Sequence, residues 1–192
     1  MGFFLLWTMP PVDPFGDALV RWFIRAALLA YGIALLLLCR MRTHDDWSAQ
    51  TSIGRWARGC WAVAFLLYIC HVALAFHFYH HWSHADAVAR TEQLSGWGEG
   101  IYVSHAFTLF WGMDVLMWLV WPQRYANRSP WVGRFLHAFM LFIVFNGAVI
   151  FAEGYIRWVS LVMFAALAIW WWAARRRNPA DRGLMSNGES HF

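Results

Sequence analysis

Between Cys70 and His84 the chain reads CHVALAFHFYHHWSH, which places five histidines at the end of a long apolar run with no acidic residue or lysine among them. On one continuous helix, His77, His81 and His84 fall within roughly 60° of one another about the axis, with His80 beside them. Imidazole is the commonest protein ligand for zinc, copper, iron and nickel. Ionisable groups inside a membrane segment are candidates for function by default. The spacing therefore predicts a transition metal (Fe, Cu or Zn) or haem b held at a membrane boundary, and it names no reaction.

The elements that must position these rings are read from apolar runs. Of the 192 residues, 60% are hydrophobic and 14% charged, too apolar for a soluble domain of this length. A spanning helix needs about 20 mostly apolar residues, and five runs qualify: 18–39, 60–82, 101–121, 131–152 and 155–174. The expected fold is all-α, one integral membrane bundle over 1–177, with a connection over 83–100 and a cytoplasmic tail over 178–192. Helices suit that solvent because they satisfy their own backbone groups.

The formal charge of +4 is carried by arginine alone, since lysine is absent. Eleven arginines (40, 42, 55, 58, 124, 128, 134, 175, 176, 177 and 182) fall on one side of the predicted spans and four (21, 25, 90 and 157) on the other. The positive-inside rule then puts the N-terminus outside and the C-terminus in the cytoplasm, in a bacterial cytoplasmic membrane. Short loops and helix ends are where these arginines sit, so the partners expected are lipid and other membrane-complex subunits, and no nucleic acid. MGFFLLWTMPPVDPFGD lacks a basic start and carries three prolines, which argues against a cleaved signal peptide. Cys39, Cys60 and Cys70 form no CxxC and are expected as buried thiols. Fifteen tryptophans fit aromatic belts at the two interfaces.

Depth, counted at about 1.5 Å per residue, sorts the polar residues into two layers. An external layer collects His77, His80, His81, His84, His105, Asn146 and Glu153, with Asp86, Glu92 and Glu99 in the loop above. His77, His80, His81, His84, His105 and Glu153 are the expected metal ligands; His77 and His105, at one depth, would be the axial pair of a haem. Within the loop, Ser83 with Asp86 three residues on reads as a helix cap, and Gly96, Gly98 and Gly100 as a stop. The alternatives there are an ordinary connection or a short helical lid.

A deeper layer holds Asp114 and His137, each about two turns from the cytoplasmic side. Their expected role is a proton relay or a structural polar pair, because a membrane carboxylate needs a partner. Asp17 lies four residues before Arg21, a local ion pair that also keeps Arg21 and Arg25 near headgroups. His71, near mid-membrane, belongs to neither layer.

Three resemblances follow from these motifs. His77-Phe-Tyr-His80-His81 resembles the HxxHH box of membrane fatty-acid desaturases and hydroxylases, which would imply di-iron chemistry. Those families combine several boxes on the cytoplasmic side; this chain has one, on the opposite side. His71 and His84, thirteen apart, resemble the ligand spacing of two-haem membrane cytochromes b, but no second helix carries such a pair. FHFYHHWSHADAVARTEQLSGWGEGIYV resembles small bacterial multi-pass membrane proteins, planctomycete ones among them, a likeness that implies no activity. No P-loop, GxSxG, HExxH or nucleotide fingerprint is present. The function expected is redox or electron transfer at the His-rich end, alone or within a membrane complex. The alternatives are an accessory or assembly subunit and a metal-handling transporter.

Overall fold

The computed structural model describes residues 13–150 and 154–176. The expectations for the extreme N-terminus, for Glu153 and for the C-terminal tail lie outside them. All regular structure among the described residues is helical: α1 (Pro14–Leu38), α2 (His44–Trp47), α3 (Ser52–His80), α4 (His84–Ser95), α5 (Gly100–Val120), α6 (Pro122–Ala126), α7 (Pro130–Phe145) with a π-helical extension Asn146–Ile150, and α8 (Tyr155–Arg176). Of these, α1, α3 and α5 are long and apolar enough to cross a membrane, and α7 and α8 contain shorter apolar stretches.

Local chemistry explains the boundaries. Asp13 accepts from the N–H groups of Phe15 and Gly16, and Pro14 occupies the first turn where no N–H is needed, so α1 starts a turn before its apolar run. Thr43 and Asp46 form a reciprocal capping box that nucleates the single turn α2. Thr51 caps α3 through the Gly54 N–H. Residues 52–59 continue directly into the apolar run from Cys60, so that α3 is one 29-residue helix.

The chain divides into two compact units, Met1–Met140 and Leu141–Phe192. In the first, α1 and α3 lie against each other through matching stripes. Ala27, Tyr31 and Ala34 face Ala57, Trp61 and Ala64, all of them almost wholly buried. Small residues one heptad apart let the backbones approach, and the two large rings fill the space between. Gly16 serves the same end: a Cβ there would lie 2.4 Å from the Phe78 ring. Trp111 and Phe107 of α5 complete the core, packing edge-on or tilted against Tyr31, Trp61, Phe65 and Tyr68 at 5.2–5.8 Å between centroids. In the second unit, Phe145 meets Phe164 of α8 edge-on, and the Asn146 amide donates back to the Phe142 carbonyl at 2.7 Å. Asn146 therefore spends its N–H on its own helix. No disulfide joins Cys39, Cys60 and Cys70.

Candidate functional site

Two polar assemblies stand at opposite ends of α5. The first lies where α3 stops. His81 and Trp82 both take left-handed backbone angles (φ 46° and 61°), a conformation that bulky L-residues rarely adopt. The Trp82 N–H bonds the Phe76 carbonyl six residues back at 3.0 Å, which satisfies an end-of-helix acceptor and holds the reversal in place. Ser83 then caps α4 by accepting the Asp86 N–H at 3.2 Å, and Gly96 (φ 73°) ends that helix.

This break corrects the arc of imidazoles expected on one helix. His77 and His80 belong to α3, His81 is the reversal itself, and His84 opens α4, so the helical i, i+4, i+7 relation of His77, His81 and His84 does not exist. The His77 ring packs on Phe78 and Trp82, and His81 is exposed. The His80 ring lies against Phe76 and Tyr79, with its Nδ1 buried and unpartnered. What the structure does bring together is His84 and His105, from α4 and α5. Their Nε2 atoms are 3.2 Å apart and their rings 5.4 Å, with Tyr102 beside both. His105 thus meets His84, not His77, the axial partner expected for a haem. Among the described residues no group of three or more His, Cys, Asp or Glu side chains could hold one metal ion.

Two neutral imidazoles at that separation share one proton as a hydrogen bond. The same separation fits two ligands on one ion: at metal–nitrogen distances of about 2.05 Å, it subtends roughly 100° at the metal, near the tetrahedral value. Helix α4 is tied down nearby. Arg90 stacks on the Tyr79 ring at 4.7 Å, Tyr79 donates to Asp17 at 2.6 Å, and Asp17 pairs with Arg21 at 2.6 Å. The Asp17–Arg21 pair is the one its spacing predicts.

The second assembly surrounds Asp114 in the last turns of α5. Its Oδ2 accepts from Trp61 Nε1 at 2.9 Å and from the Tyr125 hydroxyl at 3.1 Å, and its Oδ1 is paired with Arg128. Arg128 also donates to the Tyr125 oxygen at 2.8 Å and lies over that ring. Trp118 stacks on Tyr125 at 4.6 Å and 3°, and donates to the Trp47 carbonyl at 2.8 Å, which ties α2 to α5 and α6. Asp114 therefore finds Arg128 where His137 was expected. The physical reason is charge: a guanidinium stays protonated and offers a fork of donors, whereas a buried imidazole prefers to be neutral. The turn at Pro122 brings that guanidinium back under α5. By its place in a short loop Arg128 marks topology only; the clue to its role is that a membrane carboxylate calls for a permanent cation. His137 instead packs edge-on against Trp61 at 5.3 Å.

Outside the spans, burial first and then the Asp114 charge push the Tyr125 hydroxyl well above the ordinary phenol range, so it stays a donor. The Asp46 carboxyl is held far below the usual carboxylate range by the N–H groups of Thr43 and Arg42 and by the Thr51 hydroxyl. No protein-family model, curated protein or solved structure matches this chain.

Proposed function

We propose that this is a bacterial inner-membrane protein that captures a transition-metal ion at its external end through His84 and His105, and hands it on. The observation that carries the reading is the 3.2 Å approach of two Nε2 atoms from separate helices. Five spans underlie it: α1, α3 and α5, then α7 with its π-helical extension, and α8. The N-terminus is outside, as the arginine asymmetry favours.

Metal handling is a better use of this geometry than electron transfer. Two protein ligands on an exposed edge leave the remaining positions to water or an incoming donor, the open arrangement that ligand exchange needs. Electron-transfer copper sites are enclosed by three or four protein ligands. Haem is disfavoured on the same footing. Trans axial nitrogens stand about 4 Å apart with the macrocycle between them, from iron–nitrogen bonds of about 2 Å, comparable to other metal–imidazole bonds. Zinc and copper suit imidazole pairs equally.

The test uses the full chain in lipid nanodiscs, stripped by chelator and titrated separately with Zn²⁺ and Cu²⁺. The expected result is one ion per chain, lost in His84→Ala and in His105→Ala and kept in His77→Ala. Retention of the ion by the His84→Ala/His105→Ala double variant would sink the assignment. A wild-type chain that takes up neither metal returns the protein to the accessory-subunit reading, with its Trp- and Phe-rich surface facing partner helices.

A further inference from the structure

Besides His80 Nδ1 at the end of α3, three buried polar atoms of the first unit have no hydrogen-bond partner: Tyr31 Oη, Trp111 Nε1 and His137 Nδ1. They come from α1, α5 and α7, yet all three rings pack on one indole, that of Trp61 on α3. The centroid distances to Trp61 are 5.6, 5.5 and 5.3 Å, and Tyr31 meets Trp111 edge-on at 5.8 Å. Trp61 cannot serve them, because its N–H is committed to Asp114 and an indole nitrogen accepts nothing. Native interiors rarely leave buried polar groups unpaired. A lone orphan is tolerable; three gathered about a single ring in a membrane core point to a shared partner.

We propose that Tyr31, Trp111 and His137 hold an ordered water site beside Trp61. The chemistry of the three groups selects the guest. Trp111 only donates, Tyr31 donates or accepts, and the imidazole nitrogen does either according to tautomer. A guest must therefore accept at least one hydrogen bond and be able to donate, with the two to four partners that buried water takes. A cation is disfavoured by the indole N–H, and the Asp114 carboxylate is already saturated by Arg128, Tyr125 and Trp61. The water site extends the Asp114 network past Trp61 into the bundle and gives His137 a hydrogen-bonded neighbour. It does not rest on the metal reading.

The deciding measurement is water-edited, proton-detected solid-state NMR on metal-free wild-type protein in lipid, with indole nitrogens labelled. A cross-peak between the Trp111 indole N–H and a slowly exchanging water is expected; its absence overturns the proposal. A thermal double-mutant cycle on Tyr31→Phe and His137→Phe supplies a second readout. A shared water predicts that Tyr31→Phe lowers Tm by about 2–5 °C, with less-than-additive loss in the double variant. An orphan hydroxyl predicts an unchanged or raised Tm and additive effects, which would also overturn it.

Discussion

The two ends of α5 treat their polar groups in opposite ways. Around Asp114 both carboxylate oxygens are engaged, its cation is supplied, and the side chains of Asp114 and Arg128 are only 4% and 11% exposed. At the other end His84 and His105 touch only through one nitrogen each, on an exposed edge. A saturated, dry network specifies structure and has no valence left for a ligand. An exposed pair held by one shared proton adds little to stability, and both nitrogens become ligands once that proton leaves. Charge alone would have ranked the two ends the other way, since an aspartate inside a membrane is the stronger functional signal.

The largest effect should come from breaking the saturated end. Arg128→Met leaves Asp114 buried without its cation, and unfolding in mixed micelles should show a loss of about 3–5 kcal/mol. Adding Asp114→Leu should return much of it, because the charge left behind is the source of the penalty. A single variant within 1 kcal/mol of wild type would mean that Asp114 is hydrated or protonated, and the contrast between the ends would collapse.

At the same end, Gly54→Ala puts a Cβ 2.1 Å from the Asp46 carbonyl oxygen, a backbone atom that cannot swing away. The α2–α3 corner must open, at a cost of about 1–3 kcal/mol by thermal unfolding. A neutral result would show that α2 is not pinned as described. Thr43→Ala removes the cap from α2 and should cost about 1 kcal/mol.

Acid sharpens the same corner. The Asp46 carboxyl is depressed in the folded state, so its contribution is complete above the ordinary carboxylate range of about 4. That contribution is lost as pH falls through its lower folded value. Asp46→Asn should flatten stability against pH on the acid side of 4; an unaltered acid limb would contradict the hydrogen bonds assigned to it.

The smallest stability effect belongs to the histidine end. His84→Ala should move unfolding by no more than about 0.5 kcal/mol while abolishing ion uptake. A large destabilisation would recast the pair as a clamp between α4 and α5.

How much was legible can be judged at particular residues. Apolar runs announce helices at α1, α3, α5, α7 and α8, three of them long enough to cross a membrane, because a long apolar stretch that must satisfy its own backbone groups has few alternatives to a helix. The Asp17–Arg21 pair and the Ser83 cap were also visible, being contacts three or four residues apart. The reversal at His81 was not: no glycine marks it, and periodicity runs straight through FHFYHHWSH.

The chain by itself therefore settled its helical, membrane-suited character, since composition and short-range hydrogen bonding act within a few residues. Only the tertiary structure chose the partners: Arg128 for Asp114 across fourteen residues, and His105 for His84 across twenty-one. Such pairings depend on where loops return and how helices rotate against one another, and those are set by packing throughout the first unit. A local pattern carries no record of that packing.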